Sequence, residues 1–301
     1  MKDADEREAI RALLAWYRKN KRILPWRDVD DAYRVFISEI MLQQTQVDRV
    51  IPKFREWIHQ FPTWKRLADA KTADLLHAWA GLGYNRRALQ VREAARQVVE
   101  RGEPKDEGEW RALKGVGPYT AAALTEFANH RPAIVIDTNV RRVAGRLFLG
   151  RPHPTLSDDA RLRGILARIV PRRGRHWDVP QAFMDLGSAI CLPSPQCAVC
   201  PLRRRCLAAP KFLSGMGPKR RMVRTKERRH ANKPHPDRIY RGRILALIRT
   251  DGPTRIDRIG RSVDETFDET RDGKWIEELV RRLARDGLVE VHLGKIRIPS
   301  G

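Results

Sequence analysis

Apolar residues recur at helical spacing along most of this chain, and alternation of the strand type is confined to its end. Residues 7–19 place Ile10, Leu13, Leu14 and Tyr17 on one helical face. Phe36, Ile37, Ile40 and Met41 predict a second, buried helix face, with the carboxylate of Glu39 inside it. Beyond Gln43-Gln44-Thr45, Val47, Val50, Ile51, Phe54 and Ile58 mark a third helix. Thr45 is its expected cap, and Pro52 is expected to kink or restart it. Residues 72–80 and 86–100 predict two more helices around Gly81-Leu82-Gly83-Tyr84, the second with Leu89, Ala94 and Val98 inward and its arginines outward. Gly115-Val116-Gly117 precedes a helix of small residues. Ala133–Ile136 is a short apolar run that stops at Asp137, and Val140, Val143, Leu147 and Phe148 share a face after it. Residues 177–190 predict a further helix.

Near residue 210 the pattern changes. Pro210, Gly215, Gly217, Pro218, Pro234 and Pro236 punctuate a run that carries Lys219, Arg220, Arg221, Arg224, Lys226, Arg228 and Arg229, which predicts a basic linker over 210–237. Within 238–301, three apolar-periodic stretches broken at Gly252-Pro253 lead into alternation about Gly294, a helix–helix–helix–hairpin order of the winged-helix type. The expected fold class is therefore mainly α, with a helical part over 1–209 and a small α+β unit over 238–301.

Composition narrows the partners. The 301 residues include 60 Lys+Arg and 37 Asp+Glu, a formal net charge of +23. That excess points first to nucleic acid. No apolar run approaches the roughly 20 residues that span a bilayer, and the acidic start Met1-Lys2-Asp3-Ala4-Asp5-Glu6 is unlike a signal peptide. The expectation is a soluble, cytoplasmic protein.

Several positions carry candidate chemistry. A carboxyl group in apolar surroundings, as at Glu39, is either paired or raised in pKa, and a raised one suits general acid work near neutral pH. The plain alternative is a solvated Glu beside a polar turn. Gln43 and Gln44 carry amides able to read base edges or fill a gap in a base stack. Leu24-Pro25-Trp26-Arg27 reads either as a clamp for a planar group or as a Trp lid on the core. The tip at Tyr84 reads as an aromatic wedge or as a glycine C-cap with the ring packed back. Gly115 and Gly117 allow close backbone approach, and the helix start after them offers N–H groups to a phosphate, as in a helix-hairpin-helix grip on DNA. Asp137 serves equally as an N-cap or as a fixed carboxylate at a cleft mouth. All four cysteines form one run, Cys191-x5-Cys197-x2-Cys200-x5-Cys206, suited to zinc or an iron–sulfur cluster, and the single Cys-x2-Cys pair leans toward a [4Fe–4S] cluster.

Taken together, Leu-Pro-Trp-Arg at 24–27, Ser-Glu-Ile-Met-Leu-Gln-Gln-Thr-Gln-Val at 38–47, Gly-Leu-Gly-Tyr at 81–84, Gly-Val-Gly-Pro-Tyr-Thr at 115–120, Asp-Thr-Asn-Val-Arg-Arg-Val at 137–143, Met-Asp-Leu-Gly at 184–187 and the cysteines resemble the HhH-GPD iron–sulfur DNA glycosylases. Within them, the Met-Leu-Gln-Gln-Thr element resembles the A/G-specific adenine glycosylase (MutY) family. The resemblance implies a two-lobed helical fold, a [4Fe–4S] cluster on Cys191, Cys197, Cys200 and Cys206, and a monomer acting on double-stranded DNA with A·8-oxoguanine or A·G mispairs. It implies that Glu39 protonates adenine, that Asp137 steadies the oxocarbenium-like sugar, and that Asn139 stands beside it. Tyr119 occupies the place of a catalytic Lys in bifunctional relatives, and Lys114 does not substitute, so a monofunctional glycosylase is expected. Gln44, Thr45 and Tyr84 match residues around 8-oxoguanine, while Trp26, Arg27 and Asp185 match the wall of the adenine pocket. Two departures stand out. The first cysteine gap is x5 where the family usually has x6, and 238–301 is too short for the MutT-like domain of many members, resembling instead the short C-terminal region of actinobacterial ones.

Overall fold

The computed structural model describes residues 3–215, 227–230 and 233–300. In chain order its helices are α1 (Asp3–Asn20), α2 (Ala32–Leu42), α3 (Val47–Gln60), α4 (Trp64–Ala68), α5 (Thr72–Ala78), α6 (Arg86–Arg101), α7 (Glu107–Ala112), α8 (Pro118–Phe127), α9 (Thr138–Leu149), α10 (Asp159–Ile169), α11 (Asp178–Ala189), α12 (Ala209–Leu213), α13 (Asp237–Asp251), α14 (Ile256–Val263) and α15 (Glu269–Arg285). Three short strands, β1 (Thr254–Arg255), β2 (Glu290–His292) and β3 (Lys295–Arg297), complete a mainly α fold. No helix among the described residues is long and apolar enough to cross a membrane. Of the basic linker, Lys219, Arg220, Arg221, Arg224 and Lys226 lie outside the described residues.

The chain divides into two compact units. The first comprises Met1–Glu39, Pro104–Ala112 and Val116–Met222, the second Ile40–Glu103, Leu113–Gly115 and Val223–Gly301. The core of the first unit is built from the apolar stripes of four helices: Ile10 and Leu13 of α1, Val140, Val143 and Leu147 of α9, Leu162 and Leu166 of α10, and Phe183 and Leu186 of α11. Burying each such side chain contributes about 1.5–3 kcal/mol. At its start, α9 is capped by Asp137, whose Oδ1 accepts from the Val140 N–H at 2.6 Å. It stops at Gly150, which adopts a left-handed φ of 61°.

In the second unit, α3 to α6 close around Trp57 and Trp79, whose rings meet edge to face at 5.3 Å. Of the kink or restart expected at Pro52, the restart does not occur. Burial of Val50, Phe54 and Trp57 along one face holds α3 continuous despite the missing N–H. Nor does Thr45 cap it: Gln46 occupies the N-cap without a side-chain bond, while the Thr45 hydroxyl turns to the carbonyls of Gln43 and Leu82, 3.4 Å from each. At the C-terminal end, α13, α14 and α15 enclose Tyr240, Ile244, Ile259, Leu279 and Leu283. The expected hairpin is β2–β3, turned by Leu293 and Gly294, both with positive φ. The unexpected β1 adds to it, giving an antiparallel sheet in the order β1-β3-β2.

One glycine lets a loop lie against α9. A Cβ on Gly145 would stand 2.4 and 2.6 Å from carbons of the Pro154 ring. We expect Gly145→Ala to lower stability by about 1–3 kcal/mol, the usual cost of overpacking, read by denaturant unfolding. An unchanged midpoint would show that the 150–155 segment moves freely.

Candidate active site

Two carboxyl groups of the first unit define the site. Glu39 lies on α2, among the buried Phe36, Ile37 and Ser38. Part of its side chain still reaches solvent. Its pKa is pushed up to about 7, first because burial penalises the anion and second because the negative charge of Asp137 lies nearby. The Tyr119 hydroxyl, hydrogen-bonded to Glu39, and the positive charge of Arg27 pull the other way. The partly buried Tyr119 phenol is held well above its ordinary pKa, first by desolvation and then by the charges of Glu39 and Asp137, so it stays a donor. It comes from the first turn of α8, directly after Pro118 at the helix start.

Asp137 takes the N-cap role expected of it and leaves its second oxygen to a side chain. Its Oδ1 caps α9, and its Oδ2 accepts from the Asn139 amide at 2.9 Å. Burial raises its pKa, whereas the bonds from Val140 and Asn139 and the charge of Arg142 favour the anion. Arg142 fixes the amide in turn: Nη2 donates to Asn139 Oδ1 at 2.7 Å and to the Gly187 carbonyl at 2.8 Å, and Nε donates to the Cys191 carbonyl at 2.7 Å. Gly187 is required here, since a Cβ would come within 2.8 Å of the Asn139 Cβ.

Asp185 is a buried counter-ion. Arg27 grips it bidentately at 2.7 and 2.8 Å, and Arg22 adds its Nε at 2.7 Å and its backbone N–H at 3.0 Å. Burial alone would raise the Asp185 pKa, but the two arginines more than offset it and hold the group below the ordinary carboxylate range. The clamp ties the 22–27 loop, with the buried Leu24 and Trp26, to α11. It also pairs the Arg27 charge, which favours ionisation of Glu39.

The four cysteines are unpaired and line one cavity beside Phe212 and Arg146. Arg146 is 2% exposed; Nη1 lies 3.4 Å from Cys191 Sγ and donates to the Leu192 carbonyl at 2.6 Å, and Nη2 donates to the Pro193 carbonyl at 2.9 Å. Among the described residues no three His, Cys, Asp or Glu side chains gather closely enough for a single metal ion. Four thiols facing one cavity, with a buried cation alongside to balance thiolate charge, fit a sulfur-ligated cluster.

The remaining sequence candidates, Gly117 excepted, belong to the second unit. Gln43 and Thr45 are partly buried; Gln44 and Tyr84 are exposed and both left-handed, at φ 58° and 47°. Gln44, Thr45 and Tyr84 line a cleft of about 920 Å³, shared with Arg238 and Arg241 of α13 and with Asp286. Gly115 has φ 83° and rests on the Gln90 side chain, whereas Gly117 is an extended N-cap to α8 in the first unit.

Residues 37–168 match the model of the HhH-GPD superfamily base excision DNA repair proteins. The chain is 34% identical to the adenine DNA glycosylase of Mycolicibacterium smegmatis, covering 92% of this chain and 91% of that one. It is 36% identical to that of Mycobacterium tuberculosis, over 79% and 77% of the two chains. The chain belongs to the adenine DNA glycosylase family. A human adenine DNA glycosylase is 39% identical over 69% of this chain but only 40% of its own length. The Mycolicibacterium smegmatis match runs into 238–301, as its coverage of 92% of this chain requires. A thermostable thymine-DNA glycosylase superposes with a TM-score of 0.63 at 25% identity, over 69% of this chain and 98% of that one. Endonuclease III in a DNA complex superposes at 0.60 and 21% identity, over 71% and 99%, and shares the fold.

Sequence reasoning missed the arginines of this glycosylase family member that work inward. On α6 the arginines were expected outward, yet Arg87 is 7% exposed. Its signal was position: it stands three residues after Tyr84, on the stripe of the buried Val91, Ala94 and Val98.

Glu39 also bears on stability. Its folded pKa of about 7 lies above the ordinary 4.5. Its stabilising share is complete below pH 4.5 and is lost as pH rises through 7. Glu39→Gln should therefore match the wild type near pH 4 and unfold at higher denaturant at pH 8. A difference independent of pH would refute the desolvated carboxyl.

Proposed function

We propose that this chain hydrolyses the N-glycosidic bond of adenine in double-stranded DNA where the adenine stands opposite 8-oxoguanine or guanine. The observation that carries the reading is the Glu39–Asp137 pair: one carboxyl held near a pKa of 7 by burial, beside a second that burial also raises but that accepts hydrogen bonds from Val140 and Asn139 and lies near the charge of Arg142. Adenine leaves poorly until a ring nitrogen is protonated, and its departure leaves positive charge on the sugar. Glu39 enters protonated and donates. Asp137, fixed by Val140 and Asn139, faces the developing cation. Tyr119 orients Glu39 through its hydroxyl and offers no amine, so the sugar forms no Schiff base and the enzyme is monofunctional. The base must leave the stack first. Gln44, Thr45 and Tyr84 are assigned to the base left opposite, and the helix start at Gly117 to the DNA backbone. Trp26, Arg27 and Asp185 are assigned to the wall of the adenine pocket. Cys191, Cys197, Cys200 and Cys206 would hold a [4Fe–4S] cluster, which supplies a structural cross-link between α11 and the segment before α12. We assign the protein to the monomeric state and to the nucleoid.

Single-turnover release from A·8-oxoguanine, A·G, T·G and U·G duplexes tests the reading. Adenine should leave, fastest opposite 8-oxoguanine, and the rate should fall as pH rises past about 7 while Glu39 loses its proton. Glu39→Gln should lose about 10²–10⁴-fold in rate, the usual worth of a general acid, and still bind DNA. Release of thymine or uracil instead would overturn the specificity. In a separate check, the purified protein should contain iron and acid-labile sulfide, and Cys200→Ser should lose both; a protein holding only zinc would remove the cluster.

A further inference from the structure

Gln44 and Tyr84 lie far apart in sequence and share an unfavourable backbone, φ 58° and 47°, which side chains other than glycine rarely adopt. Something must hold each of them there. In both cases the peptide plane that precedes the residue, and so sets its φ, ends in a carbonyl bound by the same side chain. Arg87 Nη1 donates to Gln43 O at 2.6 Å, and Arg87 Nη2 donates to Gly83 O at 3.2 Å. The same fork reaches Ile40 O at 2.8 Å and Leu82 O at 3.2 Å. The plane of the guanidinium is held as well: its carbon lies 5.4 Å from the Trp79 ring centroid and 5.5 Å from that of Tyr84. Tyr84 is thus fixed twice, through its backbone and through its ring, which remains 54% exposed.

A lysine cannot reproduce this arrangement. Its single ammonium has three donors on one atom, no planar face to stack, and a strongly hydrated charge. Nor is charge the point, because the four acceptors are neutral carbonyls. What the fork supplies is a common frame for two residues on separate segments.

We propose that Arg87 is a positioning residue that determines specificity for the base opposite the adenine, by locking Gln44 and Tyr84 into one register. The proposal rests on the assignment of those two residues to that base. Arg92 provides the comparison. It stands on the same helix and donates to Ala70 O at 2.9 Å and to Thr72 Oγ1 at 3.1 Å, away from both segments.

The test compares Arg87→Lys and Arg92→Lys in the full chain. Single-turnover adenine release at saturating protein is measured on A·8-oxoguanine and A·G duplexes, after titration of active enzyme so that only folded protein counts. A misplacement of about 1 Å can cost on the order of a hundredfold, and for a residue acting through two others we expect about tenfold. The ratio of the two rates should fall by that factor in Arg87→Lys and stay within about twofold in Arg92→Lys. In a Gln44→Ala background, Arg87→Lys should lower the ratio by clearly less than it does alone, which a purely structural loss would not do. Arg87→Gln serves where the lysine variant folds poorly. A wild-type preference that both Arg87 variants retain, or equal losses on both duplexes, overturns the proposal alone. A wild type with no preference overturns the assignment of Gln44 and Tyr84 and the proposal with it.

Discussion

A carboxyl group held out of water beside a second carboxyl is the constraint from which the first unit follows. Left alone, the two groups would both protonate or would push each other apart. The molecule prevents either outcome by giving them unequal company. Glu39 receives one phenol and an apolar helix face, whereas Asp137 receives a helix N-terminus, an amide and a nearby guanidinium. Burial raises the proton affinity of both, and the donors around Asp137 oppose that rise while Glu39 has one phenol and the charge of Arg27 to oppose it.

The surrounding ion pairs serve the same end. Arg27 is close enough to favour the Glu39 anion, yet both of its terminal nitrogens are taken by Asp185. Asp185 thus pairs a charge that lies close to Glu39. Arg142 works in the opposite direction, since it immobilises Asn139 and joins the α9 start to Gly187 and to the carbonyl of Cys191. The cysteine loop is thus connected to Asp137 through two side chains, Arg142 and Asn139.

Much of this was legible in the sequence, and the limits of legibility have physical causes. Helix faces were readable because apolar spacing records burial directly, as at Leu13, Val143 and Phe183. Glu39 stood out because a charge inside such a face is anomalous. Asp137 could be read only ambiguously, because capping and a fixed carboxylate at a cleft ask for the same residue in the same place, and the cap is what α9 displays. Thr45 and Pro52 misled because local preference was overruled by packing of α3 and by carbonyls distant in sequence. The inward arginines were invisible for a related reason. Hydrophobic patterning treats Arg as surface, but a guanidinium can replace several waters around main-chain carbonyls at once. The opposition of Gln44 and Tyr84 to one side chain exists only in three dimensions.

That use of arginine changes what the formal charge means. Arg87, Arg92, Arg96, Arg142, Arg146 and Arg249 all end on main-chain carbonyls inside their own units. Each keeps its charge but is committed to the fold rather than held ready for a phosphate. Counterion release on binding a polyanion counts only the groups that reach phosphate oxygens. The salt dependence of association with a polyanion therefore counts fewer groups than the 60 Lys+Arg of the sequence, and in these six positions the basicity of the chain is mortar.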